Sequence, residues 1–109
     1  VAAVNLSLGS GQHAAHCDAS RLSYKTVIDN LRSVGIATVV SSGNNGYTSA
    51  ISAPACISSA ISVGSTDDGG FGTTVDGVSN FSNASSLLTV LAPGRWIRSS
   101  VLNGGYQNY

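Results

Sequence analysis

Between Val1 and Val40 the chain passes through an apolar segment, a helical period and a second apolar segment, and that succession constrains the fold more than any other feature. Val1-Ala-Ala-Val-Asn-Leu-Ser-Leu is apolar at nearly every position up to Gly9, as expected of a strand covered on both faces. From Asp18, a good N-cap residue, the apolar positions Tyr24, Val27, Ile28, Leu31 and Val34 recur at helical spacing. Gly35 stands where a left-handed residue closes a helix. Ile36-Ala-Thr-Val-Val is β-branched and uninterrupted, so strand, helix and strand form a right-handed crossover with both strands in one parallel sheet. The N-terminal half is therefore α/β.

After Gly43-Asn44-Asn45-Gly46 the helical period does not return, and short strands alternate with Gly, Ser and Asn turns. Strands are expected at Ala60 to Gly64, Leu87 to Leu91 and Ile97 to Leu102. Asp67 to Asn80 is a surface loop or hairpin anchored by Phe71, Val75 and Val78, and Gly104 to Tyr109 resembles the middle of a turn. Neither a repeat nor a composition break divides residues 1–109. Both ends fall within expected structure, so the chain reads as a fragment, or as a domain excised from something longer.

Only 9 % of the residues are charged, five basic against five acidic, which supplies no phosphate-seeking patch and argues against nucleic acid as a partner. The longest apolar runs fall far short of the ~20 residues of a membrane helix, so no membrane association is expected. Nineteen Ser, seven Thr, eight Asn and thirteen Gly dominate, a composition met more often in secreted chains. Cys17 and Cys56 are then either a disulfide or two buried free thiols. No metal site is assigned, because His13 and His16 beside Cys17 match no usual ligand spacing.

Two segments invite a chemical reading. Gly9-Ser10-Gly11-Gln12-His13-Ala14 fits a dinucleotide-binding pattern, but the second strand ends in Ser41-Ser42 where an acid should receive the ribose. Ser41-Ser42-Gly43-Asn44-Asn45-Gly46 lies at the carboxyl end of a buried parallel strand, where active sites of open α/β sheets form. By spacing alone, ordinary turn chemistry is the favoured account of Asn-Asn-Gly.

The ordered blocks Asn5-Leu-Ser-Leu-Gly9, Ala37-Thr-Val-Val-Ser-Ser-Gly-Asn-Asn-Gly46, Ala53-Pro54, Ile61-Ser-Val-Gly64, Phe81-Ser-Asn83, Leu91-Ala-Pro-Gly94 and Gly104-Gly-Tyr106 resemble the subtilisin-like serine peptidases over essentially the whole chain. The resemblance implies a partial three-layer α/β fold with parallel central strands, one clear amphipathic helix and a β-rich C-terminal half. It implies a secreted endopeptidase acting on peptide or protein substrates. The family's Asp block, His-Gly-Thr-His block and Gly-Thr-Ser-Met-Ala block are not found here, so the triad is missing and the isolated chain is expected to be inactive.

By the same resemblance, Asn44 matches the oxyanion-hole asparagine, a donor aimed at the charge that develops on the carbonyl oxygen. Ser7, Leu8 and Gly9 match the edge that pairs with an extended substrate. Ser41, Ser42 and Gly43 on one side, with Ser52 and Ala53 on the other, match walls of the primary specificity pocket, and Asn45 stands at its rim. Ala53-Pro54 matches a cis bond at the pocket base.

No cofactor is required, and calcium enters by family resemblance alone. A family cation site uses an acid where this chain has Thr89, and Asp67 and Asp68 are adjacent acids in a Gly-rich turn. Of three Asn-x-Ser sequons, at Asn5, Asn80 and Asn83, the first should be buried in a strand. Strands normally flanking Val1 to Leu8 are absent from the chain, so self-association or a complementing chain is expected at that edge. A non-catalytic secreted binding or adhesion module is the alternative, and it would show repeats that this sequence lacks.

Overall fold

The structure is a computed structural model describing residues 1–109. Its frame is a four-stranded parallel sheet of β1 (Ala3–Leu6), β3 (Ala37–Ser41), β5 (Ile61–Asp67) and β6 (Val90–Arg95), side by side in that order. Helix α1 (Leu22–Ser33) is the crossover between β1 and β3 and lies against β3. Two antiparallel pairs complete the fold: β2 (Ser10–His13) with β4 (Ile51–Ala53), and β7 (Arg98–Val101) with β8 (Gly105–Asn108). The α/β architecture with a strand-rich C-terminal half is the one expected from the sequence.

The β-branched runs set the strands. Register pairs Val39 with Asn5 and Ile61, and Val40 with Leu6 and Ser62, so alternate side chains go to opposite faces of the sheet. Val40 faces the core with Ile28, Ile51, Ala53, Ala55, Ile57 and the bonded Cys17 and Cys56. Burying Ile28 alone stabilises by about 1.5–3 kcal/mol. The helix ends in a Schellman motif: Gly35, at φ 78°, donates to Arg32 O and Ile36 donates to Leu31 O.

Several local expectations are corrected. Asp18 is not the N-cap: its carboxylate accepts the N–H and O–H of Ser58 at 2.9 and 2.6 Å, and α1 starts at Leu22 behind Arg21 with no side-chain cap. Tyr24, Val27 and Val34 are exposed and only Ile28 of α1 is buried, because the helix meets the molecule along a single row. β1 is not covered on both faces: Val4 and Leu6 are half-buried, Ala3 and Asn5 exposed, and its outer edge has no strand partner. β5 extends to Asp67, the next strands start later than expected at Val90 and Arg98, and Gly105–Asn108 is a strand rather than a turn. In the 67–80 loop, Phe71, Val75 and Val78 are exposed. Asp67 anchors it instead, through backbone bonds with Gly77 and Asp76 and an ion pair at 3.7 Å with Arg95.

Candidate functional site

β3 delivers the chain to the carboxyl edge of the sheet, and residues 42–47 turn there on a frame that their own sequence does not supply. The side chain of Asn83, fully buried, supplies it. Its Oδ1 accepts the backbone N–H of Asn45 at 2.9 Å and of Tyr47 at 3.2 Å. Its Nδ2 donates to Ser42 O at 3.0 Å and Ser52 Oγ at 3.2 Å. The backbone N–H of Asn83 donates to Gly43 O, and Ser42 Oγ donates to Asn83 O, both at 2.9 Å. Every polar group of this buried amide is thereby used, as burial requires.

Gly43 is confined by the same contacts. It adopts φ 107°, and a Cβ there would collide with Asn83 Nδ2 and lie 2.6 Å from Ser52 Oγ. Glycine is the one residue that meets both demands.

The loop is backed by β2 and β4. Ser52 donates its N–H to Ser42 O at 2.8 Å and its hydroxyl to Gly11 O at 3.1 Å, so it ties the loop after β3 to β2. Gly9 passes so close that a Cβ would lie 3.0 Å from Ser52 Cβ. Residues 51–57 are buried as a block, with a cis peptide between Ala53 and Pro54 as the resemblance implied.

In front of this support lies a hollow of about 350 Å³, lined on one side by Ser7, Leu8 and Gly9 and on the other by Ser41, Gly43, Asn44 and Asn45. All seven are residues singled out from the sequence, and no charged side chain lines the space. Ser42 and Ser52 are buried behind it, their hydroxyls engaged by the Asn83 carbonyl and Gly11 carbonyl. Ala53 does not join them: it faces a separate groove with Leu8, Gly9, Ser10, Arg21 and Tyr24. A second hollow of about 380 Å³ shares Ser7, Ser41, Gly43 and Asn44 with the first and extends over Val39, Val63 and Ala92 on the sheet. Asn44 is exposed and lines both, with an amide able to donate.

Asn83 is the residue that the sequence reading missed. It entered only within a resemblance block and as a sequon, and a fully buried asparagine is no glycosylation acceptor. Asn5, expected to be buried, is exposed and donates to Ser7 Oγ at 2.9 Å. The dinucleotide pattern is excluded as a phosphate loop, because Gly9–His13 leads into strand β2 and no helix opens there. Thr89 Oγ1 is occupied by the Ser62 N–H and hydroxyl. Asp67 Oδ1 accepts from Ser79 Oγ at 2.6 Å, and Asp68 Oδ1 accepts from the N–H of Gly70. His16 Nδ1 is 3.2 Å from Cys56 O, and His13 Nε2 is buried without a partner.

Comparison with known proteins bears on this arrangement. The sequence model of the subtilase family matches residues 1–109. Alkaline serine exoprotease A of Vibrio alginolyticus is 31 % identical over 103 residues, covering 94 % of this chain and 17 % of that protein. The extracellular serine proteinase of Thermus sp. (strain Rt41A) is 32 % identical over 99 residues, covering 91 % of this chain and 21 % of that protein. A crystal structure of a cold adapted subtilisin-like serine proteinase superposes with a TM-score of 0.73 at 28 % identity, over 97 % of this chain and 34 % of that one. The chain therefore spans about a fifth of these two curated relatives and a third of that structure.

Proposed function

The chain belongs to the subtilase family, and from that premise we propose that it is the substrate-facing part of a secreted serine endopeptidase, supplying the oxyanion-hole donor and the walls of the primary specificity pocket. The observation that carries the reading is the hollow in which Ser7–Gly9 and Ser41–Asn45 face each other beside Asn44. An extended peptide laid along Ser7–Gly9 gains main-chain hydrogen bonds and sends one side chain into the hollow. Its scissile carbonyl then lies within reach of the Asn44 amide. As a nucleophile adds to that carbonyl, the oxygen gains a full negative charge, so a donor fixed beforehand stabilises the transition state more than the substrate. The bonds from Asn83 to Asn45 and Tyr47 fix the loop in advance.

The isolated chain is inactive in this proposal. Peptide hydrolysis of this type needs a hydroxyl activated by a histidine that a carboxylate orients. Here the ring of His16 meets a main-chain carbonyl, and His13 is placed beside the cysteines. Secretion is supported by the disulfide and by the extracellular relative from Thermus.

The test is Asn44→Ala in the complete enzyme. We expect kcat to fall about 10²–10³-fold with little change in KM, a magnitude known from a subtilisin and carried over as such. A variant with unchanged kcat would place the donor elsewhere. The 109-residue chain should release no product from casein under the same assay.

A further inference from the structure

We propose that Cys17, Cys56 and His13 become a three-ligand site for zinc or a similar borderline-soft divalent cation once the disulfide is reduced. Both sulfurs and one ring nitrogen of His13 lie within 4.8 Å of one another. Tetrahedral zinc, with Zn–S about 2.3 Å and Zn–N about 2.0 Å, needs sulfurs about 3.7 Å apart and each about 3.5 Å from the nitrogen. Opening the S–S bond lets the sulfurs part by that amount through side-chain rotation alone.

The backbone keeps the three residues together without the covalent bond. Cys17 donates its N–H to Cys56 O at 3.0 Å, and Cys56 donates to Ser52 O at 3.2 Å. His13 ends β2 opposite Ile51 of β4, five residues before Cys56. Both cysteines are buried, so reduced thiols there would be poorly solvated. One ring nitrogen of His13, Nε2, is buried and has no hydrogen-bond partner. Two thiolates and an imidazole prefer zinc or cobalt to calcium or magnesium, and the fourth position remains for water.

The chemistry balances with a trialkylphosphine as reductant. The disulfide, the phosphine and one water give two thiols and the phosphine oxide, the two electrons coming from phosphorus. The cation then displaces one proton from each thiol to buffer and takes both thiolates and the neutral imidazole. The metal would thus replace the S–S bond as the link between the turn before α1 and the buried 51–57 segment behind the specificity hollow.

The experiment uses Co2+ as the probe. The protein is reduced with a trialkylphosphine, desalted anaerobically and titrated with Co2+, followed by thiolate-to-cobalt charge-transfer absorption and by far-ultraviolet circular dichroism. We expect one equivalent to bind the reduced protein and none to bind the oxidised protein in this way, with Zn2+ displacing the cobalt. His13→Ala should weaken binding more than about tenfold, since loss of an outer partner alone costs that much. His16→Ala should leave it unchanged. Absence of the charge-transfer band, or equal affinity in His13→Ala, overturns the site. If the reduced protein loses its circular dichroism, recovery on adding Co2+ supports the proposal and failure to recover overturns it.

Discussion

Asn83 Oδ1 accepts the backbone N–H of Asn45 at 2.9 Å, a bond between residues 38 positions apart that sets the loop carrying Asn44. Its companions to Tyr47, Ser42 and Ser52 make a single buried amide the anchor that ties the Asn44 loop to β4.

Asn83→Ala would strand two backbone donors, the N–H groups of Asn45 and Tyr47, while Ser42 O and the Ser52 hydroxyl keep their other partners. We expect a loss of about 2–4 kcal/mol of stability, measured as a lower urea midpoint, because unmet buried polar groups cost about 1–3 kcal/mol each. In the complete enzyme kcat should fall as well, since Asn44 loses its fixed position. A midpoint equal to the parent's would show that the loop is self-supporting.

Gly43→Ala places a methyl group against Asn83 Nδ2 and Ser52 Oγ while demanding φ 107° of an L residue. Overpacking and backbone strain together should cost about 2–4 kcal/mol. Thermal denaturation checks it. Gly35→Ala is a useful contrast, since its φ is also positive but no atom lies within 4 Å of a Cβ there. That variant should lose only the conformational part, about 1 kcal/mol.

On the proposed assignment of the hollow as the primary specificity pocket, cleavage preference follows from its lining. With Ser, Gly, Leu and Asn around it and no charged group, it offers apolar burial worth about 25 cal/mol per Å² and nothing to offset the desolvation of a charged side chain. The complete enzyme should prefer large apolar or aromatic residues at P1, with neighbouring aliphatic sizes separated by only about 1–3 kcal/mol. A P1-varied peptide library is the measurement. Strict selection of Arg or Glu would move the pocket to other residues.

Acid should loosen the contact between the turn before α1 and residue 58. The Asp18 carboxyl is lowered from its ordinary 3.8, first by the Ser58 hydroxyl and then by the Ser58 N–H. The folded value lies below the unfolded one, so this stabilisation is complete above about pH 4 and is lost as pH falls through the folded value. Asp18 is only partly buried, so the effect is small. Asp18→Asn should flatten part of the decline in urea midpoint between about pH 5 and pH 2. Parallel declines in the two proteins would count against it.

The sheet was legible because its signals are local. Val39, Val40, Ile61 and Val63 are β-branched in short runs, and Gly35 closes the helix by its own conformation. The β2–β4 pair was invisible because Ser10-Gly-Gln-His carries no apolar alternation, and its pairing depends on a segment about 40 residues away. Asp18 looked like a cap because an aspartate before a helix usually is one, and only the folded chain brings Ser58 to it. Family resemblance placed Asn44, Ser7 and Gly9 at one hollow. Nothing short of the fold could tell that Ser42 and Ser52 are sealed behind that hollow, or that Asn83 carries the loop.

The distance along the chain between that loop and its anchor also has a meaning in time. At about 5–20 residues per second of synthesis, residue 83 is joined to the chain roughly 2–8 seconds after residue 43. During that interval the turn of Gly43 to Tyr47 has emerged ahead of its buried partner, and its left-handed glycine and unpaired N–H groups have nothing to close upon. The turn therefore acquires its anchored geometry only after residue 83 has joined the chain.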